Sequence, residues 1–307
     1  MNITFAPNLK WSKMEPIASS LSYGKIEFAS FTMESYLLKV FSELDSRLAH
    51  NELKITVKEG FIPSKELINH IGPLLVQNND IEVIRPQKGR KKAEVLLKIT
   101  KESHSKNKPT KQFESTPQCL MLEYPWDLLA LNEHLVGMIK GNKIVGTIRN
   151  GAVVDGIIEL GEGSVVLPGV YIEGNVVIGK NCKIGPNCYI RGNTSIGDNC
   201  HIGQSVEVKN SLIMNNVSVG HLSYVGDSVI CPDVNFGAGT IISNFRHDGK
   251  NHHSMVNKTL INTGRRKFGS IIGSNVYTGI NTSIYCGRKI FANRTTRPCE
   301  VVKKDLD

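Results

Sequence analysis

No stretch of this 307-residue sequence approaches the roughly 18 consecutive apolar residues that a membrane-spanning helix needs. The first residues, MNITFAPNLKWSK, lack the basic start, apolar core and small-residue cleavage site of an export signal. The protein is therefore expected in the cytoplasm, with no membrane partner. Cysteine occurs seven times, but neither as CxxC nor at the Cys/His spacings of a zinc site, so no metal is expected. Cys182, Cys188 and Cys200 recur at a fixed phase, which suits small reduced side chains packed in a core. Recognition signatures for nucleic acid are absent too, although the net charge is +9. Much of that charge lies in Lys88, Arg90, Lys91 and Lys92, followed by Lys101, Lys106, Lys108 and Lys111. This is the composition of a solvated linker, and the remaining basicity suits small anionic ligands.

The length predicts two domains, because one hydrophobic core stops growing near about 250 to 300 residues. Residues 1–118 read as α/β. Apolar spacing predicts helices over 33–48 and 65–76, and strands over 53–57, 81–84 and 94–99. The polar stretch from Lys101 to Pro117 has no periodicity and reads as a linker or long loop. A connecting segment, 119–143, holds a helix that begins after Tyr124-Pro125-Trp126 and stops at Gly141-Asn142.

Over 144–307 the period becomes six. Val154, Leu160, Val166, Ile172, Ile178, Ile184, Ile190, Ile196, Ile202 and Val208 follow one another without a miss. With roughly one residue in four aliphatic, ten in register would arise by chance about once in 10⁶. Helices and ordinary strands do not repeat at six; a β-rung that turns a corner after each hexapeptide does, and three rungs make one coil of an all-β parallel helix. Coils stack in one dimension. The register slips by one at Ile213 and again at Ile230, and it is interrupted between about Phe245 and Lys267. Such an excursion from a regular prism is usually functional.

An aliphatic prism has no chemistry inside, so reactive groups must sit on its corners and outer faces. They cluster where the repeat breaks, in Gly220-His221-Leu222-Ser223-Tyr224-Val225-Gly226-Asp227, Asn235-Phe236-Gly237-Ala238-Gly239-Thr240 and Ser243-Asn244-Phe245. His221, on a corner, suits a general base for acyl transfer to an amine, since imidazole titrates near neutrality. Backbone N–H groups of the Gly237-Ala238-Gly239 corner suit a thioester oxyanion. Arg191, Lys209 and Lys267 supply positive charge for a phosphate. No cysteine lies in this cluster, so direct attack within a ternary complex is expected, without a covalent acyl-enzyme.

The words VEVKNS, VGHLSYVGD, VNFGAGT, SNF and TGRRKFGSIIG with YTGIN carry a resemblance over Arg191–Ile290. This third of the chain resembles the acetyltransferase domain of the bifunctional glucosamine-1-phosphate acetyltransferase / N-acetylglucosamine-1-phosphate uridylyltransferase family, archaeal type. The resemblance implies a left-handed β-helix, a homotrimer with sites shared between subunits, and acetyl-CoA as co-substrate. It makes His221 the base. It assigns Arg191, Lys209, Tyr224, Asn235, Asn244 and Lys267 to an amino-sugar phosphate, and Ala238, with Gly239 beside it, to acetyl-CoA. Two features depart from the pattern. Phe245 stands where the bacterial proteins have tyrosine, and Cys286, Phe291 and Cys299 occupy corners of a worn final coil.

Similar proteins open with GxGTRxxP, whose N–H groups cradle nucleotide phosphates. Here Asn8–Pro16 reads NLKWSKMEP, without glycine, and Trp11 is expected to fill the phosphate space. The helix FTMESYLLKVF and the words YPWDLL still echo the family. The N-terminal domain is thus expected to be a shortened, degenerate nucleotidyltransferase-like domain without that activity. Three readings follow: an amino-sugar-phosphate N-acetyltransferase, a non-catalytic sugar-nucleotide-binding or scaffold subunit, and a sugar-1-phosphate nucleotidyltransferase. The absent glycine loop argues against the last.

Overall fold

The computed structural model describes the chain except residues 1, 7–10, 18–20, 23–24, 29–30, 46–52, 77–79, 87–92, 102–108 and 116–118. The basic run at 88–92, Lys106 and Lys108, and the side chains of Trp11 and Lys101, lie outside what is described. Two compact units result. One comprises residues 1–12, 23–25 and 32–123; the other comprises residues 13–22, 26–31 and 124–307.

The first unit is α/β. Five strands pair in the order Asn2–Ala6, Leu53–Lys58, Glu94–Lys101, Asp80–Arg85, Thr110–Glu114. The two outer pairs are parallel and the two inner pairs antiparallel. Helices α1 (Met33–Asp45) and α2 (Lys65–Val76) fall where the apolar spacing predicts them. Strand Leu53–Lys58 alternates, burying Leu53, Ile55 and Val57, as expected of a sheet with one covered face. The linker expected over Lys101–Pro117 is corrected here, because Thr110–Glu114 forms an edge strand. Its residues TKQFE are almost all exposed, so no apolar alternation marks it.

The second unit is the left-handed parallel β-helix of about nine turns. Its three interior columns are the sequence period made physical. Val166, Ile184, Ile202, Val219 and Phe236 fill the first face; Ile172, Ile190, Val208, Val225, Ile242, Ile284 and Val302 the second; Leu160, Ile178, Ile196, Ile213, Ile230, Ile272 and Ile290 the third. Asn181, Asn199 and Asn216 turn one corner in the left-handed conformation, with φ of 54°, 56° and 59°. Their amides hand hydrogen bonds from coil to coil, Asn199 to Asn216 at 3.2 Å and Asn216 to Asp233 at 3.0 Å. Cys182, Cys188 and Cys200 are buried free thiols, and burial pushes the Cys188 thiol up to about 11. They are inert packing groups.

Register explains the slips. Lys183 pairs with His201, eighteen residues on, but His201 pairs with Ser218 and Ser218 with Asn235, each seventeen on. One residue is lost at the corner between the second and third faces, and Asn210 and Asp227 make that shortened turn with φ of 45° and 50°. The next coil is long. Asn235 pairs with Tyr277, and the extra chain leaves the prism at Phe245 and returns at Lys267, which bridge each other. Between them lies a hairpin, His253–Val256 with Thr259–Asn262. Helix α3 (Asp127–Gly137) lies on the third face, where the Asn132 amide donates to Asn193 O at 2.9 Å and its oxygen accepts from Ser195 Oγ at 2.5 Å. The final coil keeps its ladder despite the unusual corner residues, with Phe291 N–H on Leu306 O at 2.8 Å. Cys299 simply adopts the left-handed turn, at φ 59°.

Candidate functional site

Arg191 and Lys209 are register partners on the second face, and Gly226 follows Lys209 on the next coil. Both side chains point outward, because Ile190 and Val208 face the core. Each already has an acidic partner. Arg191 Nε and Nη2 donate to Glu207 Oε1 at 2.9 and 2.8 Å, and the guanidinium lies 5.2 Å from the Tyr189 ring centre. Lys209 Nζ meets Asp227 Oδ2 at 3.0 Å.

Asp227 is the hub of this corner. Besides Lys209 it accepts the Asn210 amide at 3.0 Å and the Asn244 amide at 2.6 Å. The same Asn244 amide nitrogen donates to Tyr224 Oη at 2.9 Å. Tyr224 reaches it by folding over Gly226, where an added Cβ would stand 2.5 Å from the hydroxyl. Burial, then the nearby Glu207 and Asp227 carboxylates, push the Tyr224 phenol above its ordinary value, so it stays protonated. Asn210 also donates to Glu133 on α3 at 2.7 Å, and Arg265 pairs with Glu133 from the returning chain. The predicted residues Arg191, Lys209, Tyr224 and Asn244 therefore share one edge. Sequence reasoning missed Asp227, Glu207 and Asn210 as members of it. The available signal was spacing, since Asp227 follows Lys209 by eighteen residues, one beyond its register partner Gly226.

His221 lies on the other edge of the second face, across the three-residue strand Tyr224–Gly226. Its backbone is clamped: the carbonyl accepts Gly239 N–H at 3.1 Å and Ser223 Oγ–H at 2.7 Å. Its imidazole is exposed and has no hydrogen-bond partner among the described residues. His201, on the preceding coil, senses it electrically. Burial first, then Lys183 and His221, lower the His201 pKa. Asn235 is exposed on the first face, in register with Ser218 and Tyr277. In the expected oxyanion corner, Gly237 N–H is spent on Thr278 O at 3.1 Å and Gly239 N–H on His221 O. Only Ala238 N–H is left without a partner among the described residues. Within one copy, then, the predicted residues form two groups on opposite edges. Lys267 belongs to neither; it is exposed at the neck of the excursion opposite Phe245.

Residues 172–296 match the family model described as the GMPPB C-terminal domain. A bifunctional sugar-1-phosphate nucleotidylyltransferase/acetyltransferase of Sulfurisphaera tokodaii is 36% identical over 83% of this chain and 64% of its own length. The resemblance is to the bifunctional nucleotidylyltransferase/acetyltransferases. A second such relative, the bifunctional protein GlmU of Methanococcus maripaludis, is 42% identical over 81% of this chain and 60% of its own length. The GlmU of Methanococcus aeolicus is 35% identical over 80% and 59%. The chain thus spans about three fifths of the length of these bifunctional relatives. Among solved structures, the polySia-specific acetyltransferase NeuO aligns over 54% of this chain and 72% of its own, at 22% identity and a TM-score of 0.24. No helix among the described residues is long and apolar enough to cross a membrane. No cluster of metal-binding side chains occurs among them.

Proposed function

We propose that the protein is an acetyl-CoA-dependent N-acetyltransferase acting on glucosamine-1-phosphate or a related amino-sugar phosphate, with His221 as general base. The observation that carries this reading is an exposed imidazole on a backbone-clamped corner, one coil before the N–H of Ala238, each without a hydrogen-bond partner among the described residues. The neutral imidazole takes a proton from the sugar ammonium, and the freed amine attacks the thioester carbon. As the C–N bond forms, the oxyanion is stabilised by donors such as Ala238 N–H. The C–S bond then breaks, the imidazolium returns its proton to the departing thiolate, and the nitrogen, now bonded to the acetyl carbon, releases its remaining extra proton to solvent.

The proposed trimer answers the separation of the two residue groups. Copies stacked edge to edge bring the His221 edge of one prism against the Asp227 edge of a neighbour. Arg191, Lys209, Tyr224, Asn235, Asn244 and Lys267 then hold the amino-sugar phosphate, and Ala238 with Gly239 meets the acetyl donor. The names of the bifunctional relatives support acetyl transfer, and the absent glycine loop supports loss of nucleotidyl transfer. One observation favours a second reading, a non-catalytic sugar-nucleotide-binding subunit: Arg191 and Lys209 are each neutralised by a carboxylate in the same chain.

Release of free coenzyme A thiol from acetyl-CoA and glucosamine-1-phosphate tests the proposal. His221→Ala should abolish the release while leaving the fold intact. Silence with every amino-sugar phosphate would support the second reading, and pyrophosphate release with UTP and N-acetylglucosamine-1-phosphate would revive nucleotidyl transfer.

A further inference from the structure

Glu133 lies on helix α3, outside the group of residues given a part in binding, yet its carboxylate is where three elements meet. Oε1 accepts the Asn210 amide at 2.7 Å and the terminal nitrogen Nη2 of Arg265, while Arg265 Nη1 reaches Oε2 at 3.4 Å. Arg265 belongs to the returning chain of the excursion. Its Nε is buried with no hydrogen-bond partner among the described residues, so Glu133 is what holds this guanidinium. Asn210 makes the shortened corner at φ 45°, a conformation that asparagine tolerates. Its amide nitrogen gives one proton to Glu133 and the other to Asp227 Oδ1 at 3.0 Å. That leaves Asp227 Oδ2 for Lys209 at 3.0 Å and Asn244 at 2.6 Å. Asn244 is the last residue before the chain leaves the prism, and its carbonyl accepts Phe268 N–H at 2.9 Å as the chain returns. Gly269 N–H then closes on Asp227 O at 2.8 Å. Glu133 thus reaches the outgoing strand through Asn210, Asp227 and Asn244, and the returning strand through Arg265.

We infer that Glu133 is a positioning residue for the amino-sugar phosphate, clasping both strands at the foot of the excursion so that Asn244, Tyr224 and Lys209 keep the orientation in which they face the ligand. The inference rests on the proposed function, which gives those three residues to the sugar phosphate. Two effects of the carboxylate oppose each other. As a charge it repels an anion held by Lys209, so its removal should tighten binding. As a clasp it fixes the side chains that bind, so its removal should loosen binding. The side chains of Glu133 and Arg265 are 31% and 18% exposed, and solvent screens the charge effect at such a site. A hydrogen bond to a charged group is worth roughly 10- to 150-fold in an equilibrium. The clasp therefore wins. Because it acts through the Asn210 amide, only part of that factor reaches the ligand.

Calorimetric titration of the full chain with glucosamine-1-phosphate and, separately, with acetyl-CoA tests this. Glu133→Ala should weaken glucosamine-1-phosphate by about tenfold and acetyl-CoA by less than about twofold, since the donor touches none of these groups. Glu133→Gln keeps an acceptor for the Asn210 amide without the charge and should stay within about threefold of wild type. In turnover the KM for the sugar should rise in Glu133→Ala while kcat stays within about twofold. Amide exchange gives a reading without ligand: Phe268 and Gly269 should exchange at least about tenfold faster in Glu133→Ala, with Val208 and Val225 still protected. Tighter sugar binding in Glu133→Ala, equal losses for both ligands, a glutamine variant as weak as the alanine one, or unchanged exchange at Phe268 and Gly269 would each overturn the inference. Failure of the wild-type protein to bind the sugar at millimolar concentration would overturn the inference and the proposed function together. Absence of acetyl transfer, with sugar binding and its dependence on Glu133 intact, would count against the proposed function alone.

Discussion

Replacing Asp227 by alanine should be the most damaging single change at the candidate site. The carboxylate is 4% exposed and its ammonium partner Lys209 is 14% exposed, so little water is at hand to take over the charge. Removing one member of a buried pair costs about 3 to 5 kcal/mol, chiefly because the other charge is stranded. The residual exposure of Lys209 argues for the lower end, and the Asn210 and Asn244 amides lose an acceptor as well. These losses share one site and will not add. A total of about 3 kcal/mol is expected, which for a domain of this size lowers the melting temperature by roughly 6 to 12 °C. Urea unfolding should show a lower midpoint at unchanged slope. Asp227→Asn keeps an acceptor but not the charge and should fall between wild type and alanine. The double variant Lys209→Met with Asp227→Ala removes both charges and should recover more than half of the loss. A cost below about 1 kcal/mol for Asp227→Ala, or a double variant worse than the single one, would refute the hub.

The remaining predictions concern neighbouring groups. Gly226→Ala puts a Cβ 2.5 Å from the Tyr224 hydroxyl and 2.7 Å from the Asn244 amide. It should raise the KM for the amino sugar as much as Tyr224→Phe does, at a stability cost below about 2 kcal/mol set by displaced side-chain ends. Leu222 holds φ +49° while 64% exposed, a conformation costing about 1 to 2 kcal/mol in a non-glycine residue. Leu222→Gly loses little packing, and against the glycine entropy penalty of about 0.5 to 1 kcal/mol it should raise the melting temperature slightly; a fall of several degrees would contradict the strain. His252 is buried at the base of the excursion, and burial, with Arg246 and Arg288 nearby, depresses its pKa. The unfolded chain therefore takes up the proton more readily as pH falls below the ordinary value of about 6.5. His252 thus contributes stability fully above that pH and loses it on acidification. His252→Gln should flatten the difference between unfolding midpoints at pH 7.5 and 5.5, and an identical pH slope in both proteins would exclude the effect.

The period of six was legible because a β-helix writes its geometry in the chain, one inward aliphatic residue per rung. The excursion was legible for the same reason, as a gap in that count, and its bounds at Phe245 and Lys267 are where the strands bridge. The edge strand Thr110–Glu114 was not legible. Both of its faces meet solvent, and a strand without a buried face has no alternation to display.

The candidate site was half legible for a reason rooted in the same geometry. Residue type and break points singled out His221, Lys209 and Asn244, but a corner residue's reach depends on which coil lies above it. The one-residue deletions at Asn210 and Asp227 decide that reach. They shorten the turn so that a buried carboxylate meets a lysine, two amides and, through Asn244, a tyrosine. In sequence the deletion appears only as a slipped count. In the fold it is what separates a charged corner from the glycine corners Gly156, Gly174 and Gly192 that precede it. Restoring the missing residue by inserting one glycine after Lys209 should therefore relax that corner toward the glycine form. The Lys209–Asp227 pair should open while the aliphatic interior stays in register. Measured as loss of amino-sugar affinity with amide protection of Val208 and Val225 retained, that outcome would tie the site to the deletion; collapse of protection along the whole prism would show the shortened coil to be structural instead.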